Sequence, residues 1–356
     1  MNDTANEAIG LANPAVGDAR TSARAESARL KPSAADPVLA RCWMVLARSE
    51  DVTDAPVRAD LLGEGVVLWR SETVLHAFRD LCIHRGAALS LGRVEAGQLV
   101  CPYHGWRYGG DGACTHIPAQ PAGRGVPTKA RALPYSVQER YGFVWGALEA
   151  PATPVPDYPE AFQDGFHTLI VGPYILQAEP PRVIENFLDV SHLMWVHEGL
   201  LGVPDYAEIP EHNVRRVGSG LISDPIDIFQ PDPDGRGQAL TNRYVYEVLA
   251  PTTARFRKID PDTGEVFSML LHATPAATGE TLAYALLSRN YDLSAPDETY
   301  VAFQNTLMAQ DKRIIESQRP ENLPLDLQAE LHLPSDRLAI AYRRYLNELG
   351  VERGTA

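Results

Sequence analysis

Two short segments of the chain combine cysteine and histidine at spacings that suit metal binding. Cys82 and His84 are separated by one residue, and Cys101 and His104 follow after a further sixteen residues. Each segment offers one thiolate and one imidazole, and a Rieske [2Fe–2S] cluster requires two cysteines on one iron and two histidines on the other. A structural zinc site is an alternative, but zinc fingers separate their paired ligands by two or more residues and usually place the histidines on a helix. Buried cysteines with incidental histidines are the remaining interpretation, and the spacing favours the cluster.

A second group of candidate ligands lies further along the chain. His192 and His197 are five residues apart, about 140° around an ideal helix, so they can share a metal only if the helix ends or bulges between them. Gly199 is the expected helix stop. Two histidines and one carboxylate form the facial triad that leaves positions on Fe(II) open for dioxygen. A buried helix with incidental histidines is the alternative.

Asp311 is the candidate carboxylate of this triad. In a predicted helix over residues 303–319 it falls inside an apolar stripe, and a buried carboxylate is costly unless it is paired or bound to a metal. A carboxylate satisfied by hydrogen bonds is the alternative. Asn186 and Asp189 complete the group, because a helix would stack them with His192 along one side. The stripe consists of Leu307, Met308, Ile314 and Ile315.

The elements that must position the first group are short strands. β-rich runs at residues 43–48, 65–69, 73–78 and 142–147 are separated by turn residues, which predicts a small all-β domain. Four prolines between residues 150 and 159 predict an extended connector at a domain boundary. We therefore expect domains over residues 37–150 and 151–356, after a disordered tail over residues 1–36 that contains no aromatic residue.

The second group requires a mixed segment of helices and strands. A helix is predicted after residues 180–181, strands at 241–249, 266–272 and 281–289, and two helices at the end of the chain. Ser335 is the expected N-cap of the last helix and Gly350 its stop. Side chains from the strands and from residues 200–235 are expected to line a substrate pocket. The apolar stripe of the last helix consists of Leu338, Tyr342, Tyr345 and Leu349.

The composition limits the class of protein. The chain has 356 residues, of which 45% are apolar, and its 46 acidic and 32 basic residues give a net charge of -14, which argues against a nucleic-acid-binding protein. No apolar run reaches the 18 or so residues of a membrane-spanning helix. The N-terminus has neither an apolar core nor a twin arginine, so we expect a cytoplasmic protein. Four cysteines in such a chain indicate metal chemistry or free thiols rather than disulfides.

Both groups of residues resemble the motifs of the Rieske non-heme iron oxygenases. In the first group the similarity lies in Cys-Ile-His-Arg-Gly at residues 82–86 and Cys-Pro-Tyr-His-Gly-Trp at residues 101–106. In the second group it lies in Asn-Phe-Leu-Asp-x-x-His-x-x-x-x-His at residues 186–197 and in the helix that begins with Asp-Lys at residues 311–319. The resemblance spans about residues 38–350 and is specific at the level of the family. Among its members, the chain looks most like the homo-oligomeric O- and N-demethylases of the dicamba, vanillate and caffeine type. Ala87 and Tyr103 stand where respiratory Rieske proteins carry two further cysteines, which indicates the oxygenase type. Gln310 is a departure, because such enzymes often carry an acidic residue there, and we expect it to touch no ligand.

The resemblance implies an α+β fold, in which a small all-β Rieske domain precedes a catalytic domain of antiparallel sheet plus helices, the helix-grip arrangement. It implies a [2Fe–2S] cluster on the four residues of the first group and Fe(II) on His192, His197 and Asp311. Electrons from NAD(P)H then reach the cluster through a separate reductase or ferredoxin. The iron activates O2 to hydroxylate or demethylate a small, aromatic or heterocyclic substrate.

The resemblance also implies a homotrimer in which electrons cross between subunits. Asp189 then accepts hydrogen bonds from His192 and from His104 of the partner subunit, and Asn186 lies near the iron. A carboxylate on a ligand histidine sets the orientation and basicity of that histidine, which suits this role. The alternatives are a Rieske electron-transfer protein, a ring cis-dihydroxylating dioxygenase, a degenerate oxygenase that serves as a binding protein, and a zinc-stabilised interaction module.

Overall fold

Residues 36–356 are described by the structure, which is a computed structural model of the chain. The expected tail over residues 1–36 therefore lies outside the described residues, except for Asp36. The Asp36 carboxylate is buried. Its Oδ1 atom accepts the backbone N–H groups of Val38 and Leu39 at 2.8 and 2.9 Å, and its Oδ2 atom accepts those of Glu352 and Arg353 at 2.6 and 2.8 Å. Asp36 thus joins the start of the described segment to its end.

The first part of the chain forms short strands in three small antiparallel sheets. The strands are β1 (Met44–Arg48), β2 (Val57–Leu61), β3 (Glu64–Ser71), β4 (Val74–Arg79), β5 (Arg93–Glu95), β6 (Gln98–Val100), β7 (Arg107–Tyr108), β8 (Cys114–His116), β9 (Ser136–Arg140) and β10 (Phe143–Ala147). The sheet orders are β1-β10-β9, β2-β3-β4 and β5-β6-β7-β8. The four runs predicted from the sequence correspond to β1, β3, β4 and β10, so the prediction of an all-β first part is confirmed.

The second part is built on one eight-stranded antiparallel sheet with helices. Its strands are β11 (His167–Leu176), β12 (Val214–Val217), β13 (Gly220–Ser223), β14 (Ile226–Gln230), β15 (Leu240–Ala250), β16 (Thr253–Ile259), β17 (Val266–Pro275) and β18 (Thr281–Arg289). The helices are α1 (Pro180–Leu188), α2 (Leu193–Val196), α3 (Asp297–Ile315) and α4 (Arg337–Leu349). The sheet order is β11-β18-β17-β16-β15-β13-β12, with β14 paired to β15. The three predicted strands correspond to β15, β17 and β18.

The central strand β17 is buried along nearly its whole length because both faces of the sheet are covered. Leu270 and, on β18, Leu286 pack with Val45 of β1 and Trp145 of β10. Alternate residues of β17 point to the opposite face, where Met269 and its neighbours lie beneath the helices. A strand with two covered faces is apolar throughout rather than alternating. The two parts of the chain therefore share a core, and the domain boundary near residue 150 stays a prediction.

The C-terminal helix differs from its prediction at two positions. Asp336, rather than Ser335, precedes α4, after a short 3-10 turn at residues 334–336. Leu349 is 39% exposed, and Leu346 is buried in its place, because burial follows the contacts of the whole helix rather than an ideal stripe. Gly350 ends α4 with a φ of 75°, as expected. Among residues 36–356, no helix is sufficiently long and apolar to cross a membrane.

Candidate functional site

The two loops that carry the Cys and His pairs have matching local geometry. In each loop the amide four residues after the cysteine donates to the cysteine carbonyl, Gly86 to Cys82 at 2.8 Å and Gly105 to Cys101 at 3.1 Å. Gly86 and Gly105 have φ angles of 72° and 68°, a left-handed conformation that glycine adopts at little cost. The chain therefore makes the same tight turn twice.

These turns place the thiols and the imidazoles in different environments. The side chains of Cys82 and Cys101 are buried, and their thiols contact each other. His84 is half-buried and His104 exposed, and their Nδ1 atoms lie 3.1 Å apart. Burial raises the pKa of the Cys82 thiol, so a thiolate there needs nearby positive charge such as that of iron. Two buried thiols and two converging Nδ1 atoms fit the donor set of a Rieske cluster.

Aromatic residues that follow the second loop support this group of side chains. The hydroxyl of Tyr108 lies 3.0 Å from Sγ of Cys82. Burial raises the pKa of Tyr108, which keeps this hydroxyl protonated and able to donate to the sulfur. Trp106 stacks on His84, with ring centres 4.6 Å apart and planes inclined by 10°. Sequence reasoning did not identify either contact, although both residues directly follow the Cys-Pro-Tyr-His segment.

The segment that carries His192 and His197 is not one continuous helix. α1 ends at Leu188, and Asp189 has extended backbone angles of φ −77° and ψ 132°. α2 is a separate four-residue helix, with His192 immediately before it and His197 immediately after it. The prediction that a helix stacks Asn186, Asp189 and His192 along one side is therefore wrong, because the helix ends before Asp189.

The short helix α2 brings the two histidines together. Its C-terminal cap, His197, leaves the helical conformation with φ −111° and ψ 34°, and Gly199 follows with a φ of 82°. The imidazole rings of His192 and His197 lie 5.1 Å apart between centres, with their planes inclined by 68°. The helix thus ends at the second histidine, as a shared metal requires.

Asp311 reaches both histidines from α3. Its Oδ1 atom lies 3.5 Å from Nε2 of His192 and 3.1 Å from Nε2 of His197, and the three ligand atoms all lie within 4.8 Å of one another. Oδ1 is buried and accepts no hydrogen bond from the described residues. Because a buried carboxylate oxygen without a donor is costly, this atom fits a metal ligand. Two imidazoles and one carboxylate are the donor set of a non-heme Fe(II) site.

The apolar stripe predicted around Asp311 is narrower than expected. Leu307, Met308 and Ile315 are buried, whereas Ile314 is 45% exposed. Asp311 lies inside this narrower stripe, as predicted, because it is about 40° from both Leu307 and Ile315 around the helix, and its side chain is 14% exposed.

Gln310 contacts a candidate ligand, contrary to the prediction from the sequence. Its Oε1 atom lies 2.7 Å from Nδ1 of His197 and accepts a hydrogen bond from the N–H group at that position. A hydrogen bond at Nδ1 fixes the tautomer in which Nε2 carries a lone pair. Nε2 is the atom that faces Asp311. Sequence reasoning missed this contact because Gln310 and Asp311 point in different directions from α3. Gln310 nevertheless reaches the His197 ring, on the side opposite to Asp311.

Asp189 contacts the other histidine. Its Oδ2 atom lies 3.5 Å from Nδ1 of His192, and Oδ1 accepts the backbone N–H and the hydroxyl of Ser191 at 2.9 and 2.7 Å. Burial raises the pKa of Asp189, but the contacts with His192 and Ser191 outweigh this effect and its pKa is lowered. The carboxylate is therefore anionic, and about 35% of its side chain is exposed.

A buried ion pair fixes α1, which leads into this site. Glu185 of α1 accepts two hydrogen bonds from Arg343 of α4, from Nε at 2.6 Å and from Nη2 at 2.9 Å. Bidentate guanidinium–carboxylate pairs are strong and geometrically specific. The pair ties the end of the described chain to the helix that precedes His192.

A cavity of about 790 Å³, including its mouth, adjoins the three candidate iron ligands. Its sheet side is formed by Leu287 of β18, which pairs with Met269, and by three rows of paired residues on β15, β16 and β17, because side chains of matched register share one face. The rows are Tyr244–Lys258–Phe267, Tyr246–Phe256–Met269 and Val248–Ala254–Leu271. Of these residues, Val248 and Ala254 do not line the cavity.

The opposite side of the cavity comes from the helices. Phe187 of α1 and Phe303, Leu307 and Met308 of α3 line it, together with Leu201 and Pro233 from the region that was predicted to contribute. The amides of Asn186 and Gln304 also line the cavity, and neither side chain has a hydrogen-bond partner among the described residues. The strands and residues 200–235 line this cavity, and α3 contributes as well, which was not foreseen. That the cavity is the substrate pocket stays a prediction.

Comparison with known families assigns both parts of the chain. Residues 42–136 match the Rieske [2Fe-2S] domain, and residues 176–352 match the vanillate O-demethylase oxygenase C-terminal domain. The two candidate metal groups fall within these two matches, in the same order along the chain.

Individual relatives cover most of the chain. It is 31% identical over 299 residues to the methylxanthine N1-demethylase NdmA of Pseudomonas putida, covering 83% of this chain and 82% of that protein. It is 31% identical over 307 residues to the methylxanthine N3-demethylase NdmB of the same organism, covering 83% of each. The structure of NdmA of Pseudomonas putida CBB5 with caffeine matches with a TM-score of 0.79 at 28% identity, over 87% of this chain and 91% of that one. The chain belongs to the Rieske non-heme iron oxygenases, as a terminal oxygenase component that uses O2, a Rieske [2Fe–2S] cluster and mononuclear iron.

Proposed function

We propose that this oxygenase removes a methyl group from a nitrogen or oxygen atom of a planar aromatic or heterocyclic molecule. The observation that carries the proposal is the convergence of His192, His197 and the unpartnered Oδ1 of Asp311 beside an aromatic-lined cavity. Aromatic walls favour flat rings through stacking and edge contacts. The demethylase names of the relatives support the same reaction.

The candidate ligands divide between two cofactors. Cys82, His84, Cys101 and His104 would hold the cluster, and His192, His197 and Asp311 would hold Fe(II). Held there, the cluster would supply electrons one at a time and the iron would activate dioxygen. The overall reaction balances as substrate–CH3 + O2 + NAD(P)H + H+ giving substrate–H + formaldehyde + H2O + NAD(P)+. Delivery of these electrons requires an NAD(P)H-dependent reductase or a ferredoxin as partner. The need for NAD(P)H as electron source supports the proposal of a cytoplasmic location.

The chain's own residues prepare the site for this reaction. Gln310 keeps the proton of His197 on Nδ1, so that Nε2 is free to bind a metal. The aromatic rows hold a flat ring and exclude water from its surroundings. Asn186 lines the cavity with a free amide, which suits contact with the substrate near the iron.

The route of the electrons completes the proposal. Asp189 is partly exposed and uses Oδ1 for Ser191, which leaves Oδ2 for two imidazole donors. One is His192, and the other is His104 of the partner subunit, because His104 is exposed. This arrangement requires a homo-oligomer, for which we propose the trimer implied by the sequence resemblance.

Product analysis tests the proposed reaction. The iron-loaded protein is supplied with a reductase, NADH and a panel that contains caffeine, theobromine, vanillate and dicamba. We expect at least one member to yield formaldehyde in a one-to-one ratio to NADH, and Asp311→Ala to yield none while it keeps its Rieske spectrum. A ring cis-diol without formaldehyde would identify a dihydroxylating enzyme. Reduction and reoxidation of the cluster without any organic product would identify an electron carrier.

A further inference from the structure

Lys258 occupies an unusual place in the wall of the substrate cavity. It lies on β16, where its register pairs it with Tyr244 of β15 and Phe267 of β17, and all three residues line the cavity. The residue is only 5% exposed. Among the described residues that line this cavity, Lys258 is the only lysine or arginine. A cation thus lies on the sheet side of the cavity, where the other lining residues are aromatic or aliphatic.

The ammonium group of Lys258 has few partners. It donates one hydrogen bond to the carbonyl of Pro233, and Nζ lies 4.4 Å from the ring centre of Phe267. An ammonium carries three N–H donors, and no other acceptor for them occurs among the described residues. The loop from residue 231 to 237 does bring two carboxylates into this region, those of Asp234 and Asp232, and the charge of each acts on Lys258.

Both carboxylates have other hydrogen-bond partners. Oδ1 of Asp232 accepts the backbone N–H of Gly237 at 2.8 Å, and Asp234 has two side-chain donors. Its Oδ2 atom accepts from Nε of Arg236 at 2.8 Å and from the hydroxyl of Tyr291 at 2.6 Å. Burial lowers the pKa of Lys258 to about 8, and the charge of Asp234 opposes this effect. Lys258 therefore remains mostly protonated at neutral pH, as a buried cation with donors to spare. Such a group is costly unless a further acceptor reaches it.

We infer that Lys258 orients the substrate by donating a hydrogen bond to an oxygen atom that the substrate carries on its ring, either a carbonyl or a carboxylate. The inference rests on the proposed function and adds a requirement to it, since a flat ring alone leaves this donor unsatisfied. An ammonium favours oxygen acceptors with full or partial negative charge. Stacking against aromatic side chains does not by itself fix the rotation of a flat ring in its own plane, and one charged hydrogen bond from the sheet side fixes which methyl group faces the candidate iron ligands.

Matched pairs of probes test this inference on the full iron-loaded chain, kept without oxygen. Vanillate is compared with guaiacol, which lacks its carboxylate. Caffeine is compared with 7-methylpurine, which lacks its two carbonyl groups and its methyl groups on N1 and N3, so that only the part of the difference that Lys258→Met removes is assigned to the carbonyl groups. Dissociation constants are measured by titration calorimetry for the wild type, Lys258→Met and Lys129→Met. Met keeps the length of the lysine stem without its donors. Lys129 is exposed and has no side-chain hydrogen bond among the described residues, which makes it the matched control.

We expect the wild type to bind an oxygen-bearing probe about 10- to 100-fold more tightly than its analogue, as for a hydrogen bond to a charged group. Lys258→Met should remove this preference, and Lys129→Met should retain it. A preference in the caffeine pair identifies a carbonyl as the oxygen, and one in the vanillate pair a carboxylate. The inference is overturned if Lys258→Met weakens both members of a pair equally or neither of them, or if the wild type shows no preference in either pair.

Two measurements keep the result interpretable. The Rieske spectrum and the melting temperature report whether Lys258→Met is folded, and Lys258→Gln serves as a second variant. If neither variant folds, the wild-type preference within each pair decides the question. Formaldehyde release by a wild type that shows no preference for the oxygen-bearing probe would leave the proposed demethylation standing and remove the role of Lys258.

Discussion

Nδ1 of His197 lies 2.7 Å from Oε1 of Gln310, the residue immediately before Asp311 in α3. Neighbouring helix residues point about 100° apart, so the two side chains approach His197 from different sides of its ring. Asp311 faces Nε2 at 3.1 Å, while Gln310 faces Nδ1. A single helix therefore supplies one candidate ligand and also orients another.

Replacing Gln310 by Leu should weaken Fe(II) binding about 10- to 100-fold, the usual effect of losing the partner of a ligand histidine. Iron retained after dialysis against graded chelator measures this loss. Gln310→Glu restores an acceptor and should retain the metal. Gln328→Leu, at an exposed position, is the control. Equal iron retention in Gln310→Leu and in the wild type would show that the contact does not support the site.

Replacing Asp189 by Asn should slow the reoxidation of the cluster while both metal centres remain loaded. Asn keeps the shape and one acceptor oxygen but loses the charge, so it cannot serve two imidazole donors equally well. Stopped-flow spectroscopy of the pre-reduced protein with substrate and O2 should show reoxidation slowed about tenfold or more. Asp205→Asn, which alters an exposed carboxylate, should behave as the wild type. Unchanged reoxidation in Asp189→Asn would remove the bridging role.

Replacing Tyr108 by Phe should lower the reduction potential of the cluster. The hydroxyl lies 3.0 Å from Sγ of Cys82, and a hydrogen bond to sulfur favours the more negative, reduced state. A difference of about 1 kcal/mol between the two states corresponds to about 40 mV for one electron. Spectroelectrochemical titration measures the shift, and Tyr103→Phe, at a 65% exposed side chain, is the control. A potential that does not change would mean that the hydroxyl has no effect on the cluster.

His272 should make the fold sensitive to acid. Burial lowers its pKa from 6.5 to about 3. Nδ1 contacts the hydroxyl of Thr253 at 2.8 Å, and the buried Nε2 has no partner among the described residues. As the pH falls below 6.5, His272 becomes protonated in the unfolded chain but stays neutral in the folded chain. The free energy of unfolding therefore decreases with falling pH until about pH 3. At pH 5 the loss is about 2 kcal/mol.

Urea unfolding at pH 7.5 and pH 5.0 tests this dependence. His272→Gln keeps a polar contact to Thr253 but cannot be protonated, so its stability should fall less between the two pH values than that of the wild type. His116→Gln, at an exposed site, should show the full decrease. Parallel pH dependence in His272→Gln and the wild type would contradict the prediction.

The two groups of candidate metal ligands could be predicted from the sequence because the spacing of cysteine and histidine is informative about ligand chemistry. Strands such as β15 and β18 could be predicted because their apolar pattern is local. The end of α1 before Asp189 could not be predicted from the sequence, because the extended conformation of Asp189 depends on its contacts with Ser191 and His192. The contact of Gln310 depends on which face of α3 packs against His197. The position of Lys258 in the cavity depends on the register of β16 with its neighbouring strands. Both are set by pairings between residues distant in the sequence.

The candidate iron ligands lie at or in helices and the paired cavity residues on strands, and this separation bears on how the enzyme could acquire new substrates in evolution. His192, His197 and Asp311 all lie at or in helices, whereas Tyr244, Tyr246 and the other residues of the paired rows lie on strands. A substitution in a row reshapes one spot of the wall and leaves the backbone that carries the ligands in place. Selection can therefore test new ring shapes one side chain at a time, while oxygen chemistry is inherited unchanged.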